Sequence, residues 1–225
     1  MRRANRLGRT RRAACAATLV VGTLAFASTL CRADESAVAI GPIGGSLYLD
    51  PHLADYRWDT RGQGLWGVAG VTKLGPFGTG LRVWRATTTQ SSGIPGETVV
   101  PQVKLTVTEA TGEYRVAQIR GLRLLTSASA GLLHVGYAPD QLELATSGPG
   151  GPVTVPFDPL TEWIVGGGVT LRHSLFRGFD LGFGVERSWF RLDTAHRVGD
   201  EIVNDRETFG NWSARFELSH RILRL

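Results

Sequence analysis

Residues 179–192 read FDLGFGVERSWFRL, and their apolar and polar positions alternate with a period of two. Phe179, Leu181, Phe183 and Val185 share one face, while Asp180, Gly182, Gly184 and Glu186 share the other. Successive side chains of an extended chain point to opposite sides, so the pattern predicts a strand with one apolar face. It recurs near the C-terminus, where Trp212, Ala214, Phe216 and Leu218 alternate with Ser213, Arg215, Glu217 and Ser219. It recurs upstream as well: Trp163, Val165, Val169 and Leu171 oppose Glu162, Gly166, Gly168, Thr170 and Arg172, with Ile164 an apolar exception. The short link at 174–178 makes the last upstream segment and 179–192 a hairpin.

Further strands are expected at 46–49, 65–74, 77–89, 99–109, 113–119 and 124–137, with tight turns at Gly75-Pro76 and Ala110-Thr111-Gly112. No apolar stripe of helical period is sustained, and Gly recurs too often for helices. Short links at 75–76, 110–112 and 175–178 contrast with longer polar stretches at 51–63, 90–98, 138–160 and 193–210. If the segment from Glu113 runs to Tyr137 through a bulge, there are eight strands. A break near Gly121 with a small extra strand at 141–145 makes ten. Eight is the expectation and ten the alternative; both are even, and both put the short links on one side.

Periodicity alone does not separate a soluble sandwich, apolar within, from a membrane barrel, apolar without. The occupants of the other face do. Here that face carries Arg172, Asp180, Glu186, Arg215 and Glu217 between glycines and a serine. Gly weakens a strand interior that faces water. Inside a narrow closed barrel it makes room, and opposed charges pair across the lumen. In lipid every backbone polar group has to be satisfied, so such a sheet closes on itself. The fold class expected is therefore all-β, a closed antiparallel transmembrane β-barrel. Trp163, Trp189 and Trp212 fall near strand ends, where an interfacial aromatic girdle belongs. Trp66, Trp84, Tyr137 and Phe176 fit the same role.

Composition changes the picture chiefly through the N-terminus. Six arginines stand within the first twelve residues, and the apolar stretch AACAATLVVGTLAFA follows at 13–27. That is the charged and apolar order of a secretory signal peptide. Residues 1–33 are expected to be the signal, with cleavage after Ala33 or, alternatively, after Ala27. Residues 34–225 then form the barrel domain. Of 25 basic and 20 acidic residues, residues 1–33 hold seven Arg and no acid. What remains is 18 basic against 20 acidic, a net of −2, so no basic surface is left for a nucleic-acid partner. Cys15 and Cys31 lie in the same segment, and the body is held without disulfides.

This organisation of leader, amphipathic antiparallel strands, short turns on one side and long links on the other resembles the small bacterial outer-membrane β-barrels. That group includes the OmpA-type transmembrane domain and the OmpW-like and opacity-type surface proteins. The resemblance spans residues 40–225 and is one of architecture. It implies export to the outer membrane of a Gram-negative-type bacterium, with outer-membrane lipids and the barrel-assembly machinery as partners. It also implies long loops facing outward, where an extracellular ligand would bind. Many such barrels end in an aromatic residue with apolar residues at alternate positions before it. This chain ends Arg221-Ile222-Leu223-Arg224-Leu225, and Arg221 and Ser219 break that phase.

Candidate chemistry is sparse. Ser219 and His220 lie on opposite strand faces, so they cannot act as nucleophile and base together. His196 with Asp193, Asp200 and Asp205 forms a polar cluster within 193–210, either plain surface residues or a site for a cation or polar ligand. No metal-ligand spacing, phosphate-binding loop or cofactor motif is found, and no cofactor is expected. The expected function is an integral outer-membrane barrel, without catalysis, that is structural, binds or adheres at the surface, or passes small solutes restrictedly. The alternatives are a soluble secreted β-sandwich or β-barrel binding module, and a lipid-modifying outer-membrane acyl hydrolase or transferase.

Overall fold

The computed structural model describes residues 36–91, 100–144, 153–176, 178–198 and 201–224. In chain order the strands are β1 (Ala37–Tyr48), β2 (Gln63–Leu74), β3 (Phe77–Thr89), β4 (Gln102–Ile119), β5 (Leu122–Ala138), β6 (Gln141–Leu144), β7 (Val153–Pro156), β8 (Leu160–Ser174), β9 (Phe179–Val198) and β10 (Glu201–Arg224). β6 and β7 pair only with each other, and the remaining eight pair antiparallel in a ring that β1 and β10 close. The ring is strongly staggered. The path of paired residues from His220 runs through Ile40, Gly70, Leu81, Ala110, Ala130, Val165 and Trp189, and re-enters β10 at Gly210. It returns ten residues along the strand from where it began. For eight strands that offset implies a tilt of about 40° to the axis and an interior just wide enough for side chains to fill.

What fills the interior changes halfway up, and β4 shows the change most plainly. Near the long-link end Val103, Leu105 and Val107 point inward and are buried, while Lys104, Thr106 and Thr108 point outward. Two residues further the assignment inverts: Glu109 and Thr111 are buried inside, and Tyr114 and Val116 are exposed outside. β9 inverts at the same level. Asp180 and Glu186 are inside with Leu181, Phe183 and Val185 outside, and then Phe190 and Leu192 are inside with Arg191 and Asp193 outside. Ile164, the apolar exception on β8, is inward and belongs to the upper storey.

The upper storey is thus packed as a water-soluble protein is. Leu47, Leu65, Trp84, Leu105, Leu133, Ile164, Phe190 and Phe209 fill the lumen from all eight strands. A short 3-10 helix, Pro51–Tyr56, lies over them and drives Leu53 into the apolar cluster. Asp50 fastens this lid. Its carboxylate accepts from the backbone N–H of His52 at 3.0 Å and of Gly210 at 2.7 Å, and its own N–H donates to Asn211 Oδ1 at 3.0 Å.

Eight strands stand in the ring, but they divide the chain differently from the expectation. Ala110-Thr111-Gly112 is no turn: β4 runs unbroken from Gln102 to Ile119, with Thr111 buried in the lumen. The turn is Arg120-Gly121, both with left-handed backbone (φ 47° and 84°), the conformation that a two-residue hairpin loop requires. The extra strand near 141–145 exists as β6, outside the ring. Of the stretch 193–210, expected as a polar loop, residues 193–198 and 201–210 are instead paired parts of β9 and β10, with the outer pairs running from Asp193↔Arg206 to Val198↔Glu201.

The Asp50 latch is pH-dependent. Partial burial alone would raise its pKa, but the hydrogen bonds from Gly210 and His52 outweigh that and lower it below the ordinary 3.8. A lowered folded-state pKa means that the latch is intact above pH 3.8 and is lost as pH falls through the lowered value. Asp50→Ala should weaken the lid by about 1–2 kcal/mol. Hydrogen exchange at neutral pH should show faster exchange at 52–58 with the barrel amides unchanged, and the difference should vanish in strong acid.

Candidate functional site

Below the apolar plug ten inward charged side chains from seven of the eight ring strands, five cationic and five acidic, stand in ion pairs with one another. The upper group is Arg82 (β3), Glu109 (β4), Glu186 (β9) and Arg215 (β10), all buried. Arg82 Nη2 donates to Glu186 Oε2 at 2.8 Å, and Arg215 pairs with the same carboxylate. Arg82 Nε stands 3.0 Å from Glu109 Oε1, an ionic contact without hydrogen-bond alignment. The indole N–H of Trp84 donates to that oxygen at 3.0 Å, which ties the apolar storey to the charged one.

Arg172 (β8) holds the next tier. It grips Glu113 bidentately at 2.8 and 3.0 Å and donates to Glu217 at 2.9 Å. A planar guanidinium suits this fork geometry, which a lysine does not supply. At the short-turn end Asp180 is shared by Lys73 and by Arg123 Nη2, the latter at 2.8 Å, and accepts from Ser174 Oγ at 2.8 Å. The glycines nearby are sized to this network. A methyl on Gly166 would lie 2.7 Å from Ser129 Oγ and 2.9 Å from Glu186 Oε1, and one on Gly184 would lie 2.7 Å from Thr170 Oγ1.

Arg172, Asp180, Glu186, Arg215 and Glu217, singled out in the sequence, therefore all face the lumen and stand in contact with opposite charges. Four of the five pair with each other, Arg172 with Glu217 and Arg215 with Glu186, whereas Asp180 takes Lys73 and Arg123. Sequence reasoning missed Lys73, Arg82, Glu109, Glu113 and Arg123. The signal was present in β3, where Arg82 sits between Leu81 and Val83, both exposed.

Trp163, Trp189 and Trp212 all point outward, and with Trp66 and Tyr48 they lie at the long-link edge of the apolar outer band. Phe77, Tyr114 and Phe179 lie at the opposite edge. From the registers and tilt, the two aromatic levels are roughly 20 Å apart along the axis. The Arg187 guanidinium sits 5.3 Å from the Trp189 ring and 5.4 Å from the Trp212 ring. Trp84 and Tyr137 do not belong to this outer set. Trp84 is buried inside on Glu109, and Tyr137 packs against the apolar plug. The reason is the inversion, which turns upper-storey aromatics on inward positions into core.

The polar cluster of 193–210 is divided by the hairpin. Asp193 stands 3.7 Å from Arg206 Nε, and Asp205 accepts from the Arg206 backbone N–H at 2.7 Å. Asp200 and the His196 side chain lie outside the described residues. Among the described residues, no group of three or more His, Cys, Asp or Glu is placed to hold a metal ion.

No family model and no curated protein matches this chain. Solved structures do. Neisserial surface protein A aligns with 82% of this chain and 97% of its own at a TM-score of 0.51 and 8% identity. The N-terminal β-barrel domain of Pseudomonas aeruginosa OprF aligns at 0.36 and 13% identity, covering 84% of this chain and 100% of its own. The Yersinia pestis attachment invasion locus protein Ail aligns at 0.39 and 13% identity, covering 82% and 97%. At these identities the first shows a shared architecture, and nothing about activity.

Loss of one buried acid should expose the cost of the network. Glu186→Gln leaves Arg82 and Arg215 with only Glu109 between them, and should destabilise the barrel by about 3–5 kcal/mol. Urea unfolding after refolding into phospholipid vesicles measures this. A loss below 1 kcal/mol would mean that Glu109 alone satisfies both guanidiniums.

Proposed function

We propose that this chain is an integral outer-membrane β-barrel, exported with a leader at 1–33, that acts at the cell surface without catalysis or open passage. The observation that carries the reading is the lower storey's inside-out pattern. Ion pairs lie within, and Val68, Leu81, Val169, Leu181, Phe183, Phe216 and Leu218 lie exposed without. An apolar band around the whole circumference, far larger than a soluble monomer exposes, calls for hydrocarbon as its solvent. The roughly 20 Å between its aromatic edges supports the same reading, with Trp163, Trp189 and Trp212 as the girdle on the outer side. Lipids of that membrane and the machinery that inserts barrels are the partners this implies.

The apolar plug and the lid of Leu53 support surface structure or binding over solute passage, since apolar side chains from all eight ring strands fill the upper lumen. The outer rim is polar and mixed in charge. Arg206 of β10 pairs with Glu162 of β8 and lies near Asp193, where a water-exposed binding rim fits.

Two measurements test the reading. Val169→Arg, at mid-band, should cost about 2–4 kcal/mol in vesicles, whereas Thr87→Arg, above the band, should be near neutral. A soluble barrel would tolerate both, because both positions are exposed. In cells, a membrane-impermeant maleimide should label Asp158→Cys on intact bacteria and Phe176→Cys only after the envelope is opened. The reverse would invert the orientation.

A further inference from the structure

The barrel is closed above, but at the short-turn end it opens into a cavity of about 340 Å³. Its walls include Lys73, Arg115, Arg123, Arg172 and Arg221 against one lining carboxylate, Glu113. Asp180 and Glu217 reach the same cations from deeper in the wall. The ten-member lumen network is neutral in itself, so Arg221 adds positive charge beyond it. Arg221 enters no ion pair among the described residues, and its Nε is buried without a hydrogen-bond partner. Arg123 is similar on the facing wall: Nη2 serves Asp180 and Ser174, while its Nε has no hydrogen-bond partner. Both Nε atoms are shielded from the cavity, and what calls for an accepting occupant is the excess of cations over carboxylates in its lining.

We infer that this vestibule binds a small polyanion, one bearing phosphate or clustered carboxylate groups, with Arg123 and Arg221 as its two principal donors. The volume holds about ten waters' worth of ligand, enough for a diphosphate or a tricarboxylate. Low-dielectric strand walls with a cationic surplus focus the field on the opening and favour anion entry. Glu113 lies at the floor, where Arg172 already neutralises it through two hydrogen bonds. Ser174 and Gln118 add uncharged polar groups to the lining. The site stands on the barrel's own geometry and does not depend on which membrane surrounds it.

Calorimetric titration of the full-length barrel in zwitterionic detergent at low salt tests this, with inorganic pyrophosphate and citrate as probes. Saturable binding of one anion per barrel is expected, weakened about tenfold in Arg221→Gln. Arg85→Gln, whose cation lies on the outer surface over Trp66, should bind as the unaltered chain does. Tighter binding of pyrophosphate would assign phosphate, and tighter binding of citrate would assign carboxylate. Absence of saturable binding overturns the proposal, and so does equal weakening by Arg85→Gln. Arg123→Gln is a second variant, and Arg221→Gln decides alone if loss of the Asp180 partner prevents folding.

Discussion

Closure of eight strands with an offset of ten residues leaves a lumen too narrow for a channel and too wide to collapse, so side chains have to fill it. Everything else in the molecule answers that constraint. Filling the lumen with hydrocarbon throughout would make both faces of the lower strands apolar and remove the difference between inside and outside that sets register. A one-residue slip would then cost little. The chain fills the lower lumen with ion pairs instead. A slip there would drive Arg172 or Glu186 onto the apolar outer face. The charges therefore specify register where the outer face is apolar, and apolar packing specifies it where the outer face is polar.

The inversion also explains how much of the structure was legible in the sequence. β8, β9 and β10 keep one phase over most of their length, so their apolar faces and the charges Arg172, Asp180, Glu186, Arg215 and Glu217 were readable. β4 keeps neither. Val103, Leu105 and Val107 share a face with Glu109 and Glu113, so the strand reads as two short pieces of opposite polarity. Ala110-Thr111-Gly112 at the crossing then mimics a turn. The same crossing hid Arg82 and placed Trp84 among outer aromatics. A search for period-two segments whose phase reverses once, at matching heights on neighbouring strands, would have recovered both.

The outer half of the β9–β10 hairpin misled for a related reason. A polar, charge-rich stretch without an apolar face has the composition of a loop, yet its backbone is paired residue for residue from Asp193 to Val198. Its pairing is inherited from the strands below, which the ring already holds in register. Local sequence carries little of that information. The lid is a similar case: Leu53 alone of the helix 51–56 is buried, and what fixes it is Asp50 reaching backbone 160 residues away on β10.

The two storeys divide the physical work between them. The plug gives the loop end a core that survives in water, so the rim above it is built on a rigid base. Trp84 is the hinge of this arrangement, apolar against the plug and hydrogen-bonded through its N–H to Glu109. Desolvation by the plug removes competing water from Glu109, and that strengthens the ionic tier immediately beneath it. The tiers below are progressively nearer to solvent, and the last of them, around Lys73, Arg123 and Asp180, lines the vestibule. Buried charge thus grades from fully enclosed pairs at the plug to accessible cations at the opening. Among the described residues, the apolar half fills the lumen beneath the lid, and the lumen charges become accessible toward the short-turn end.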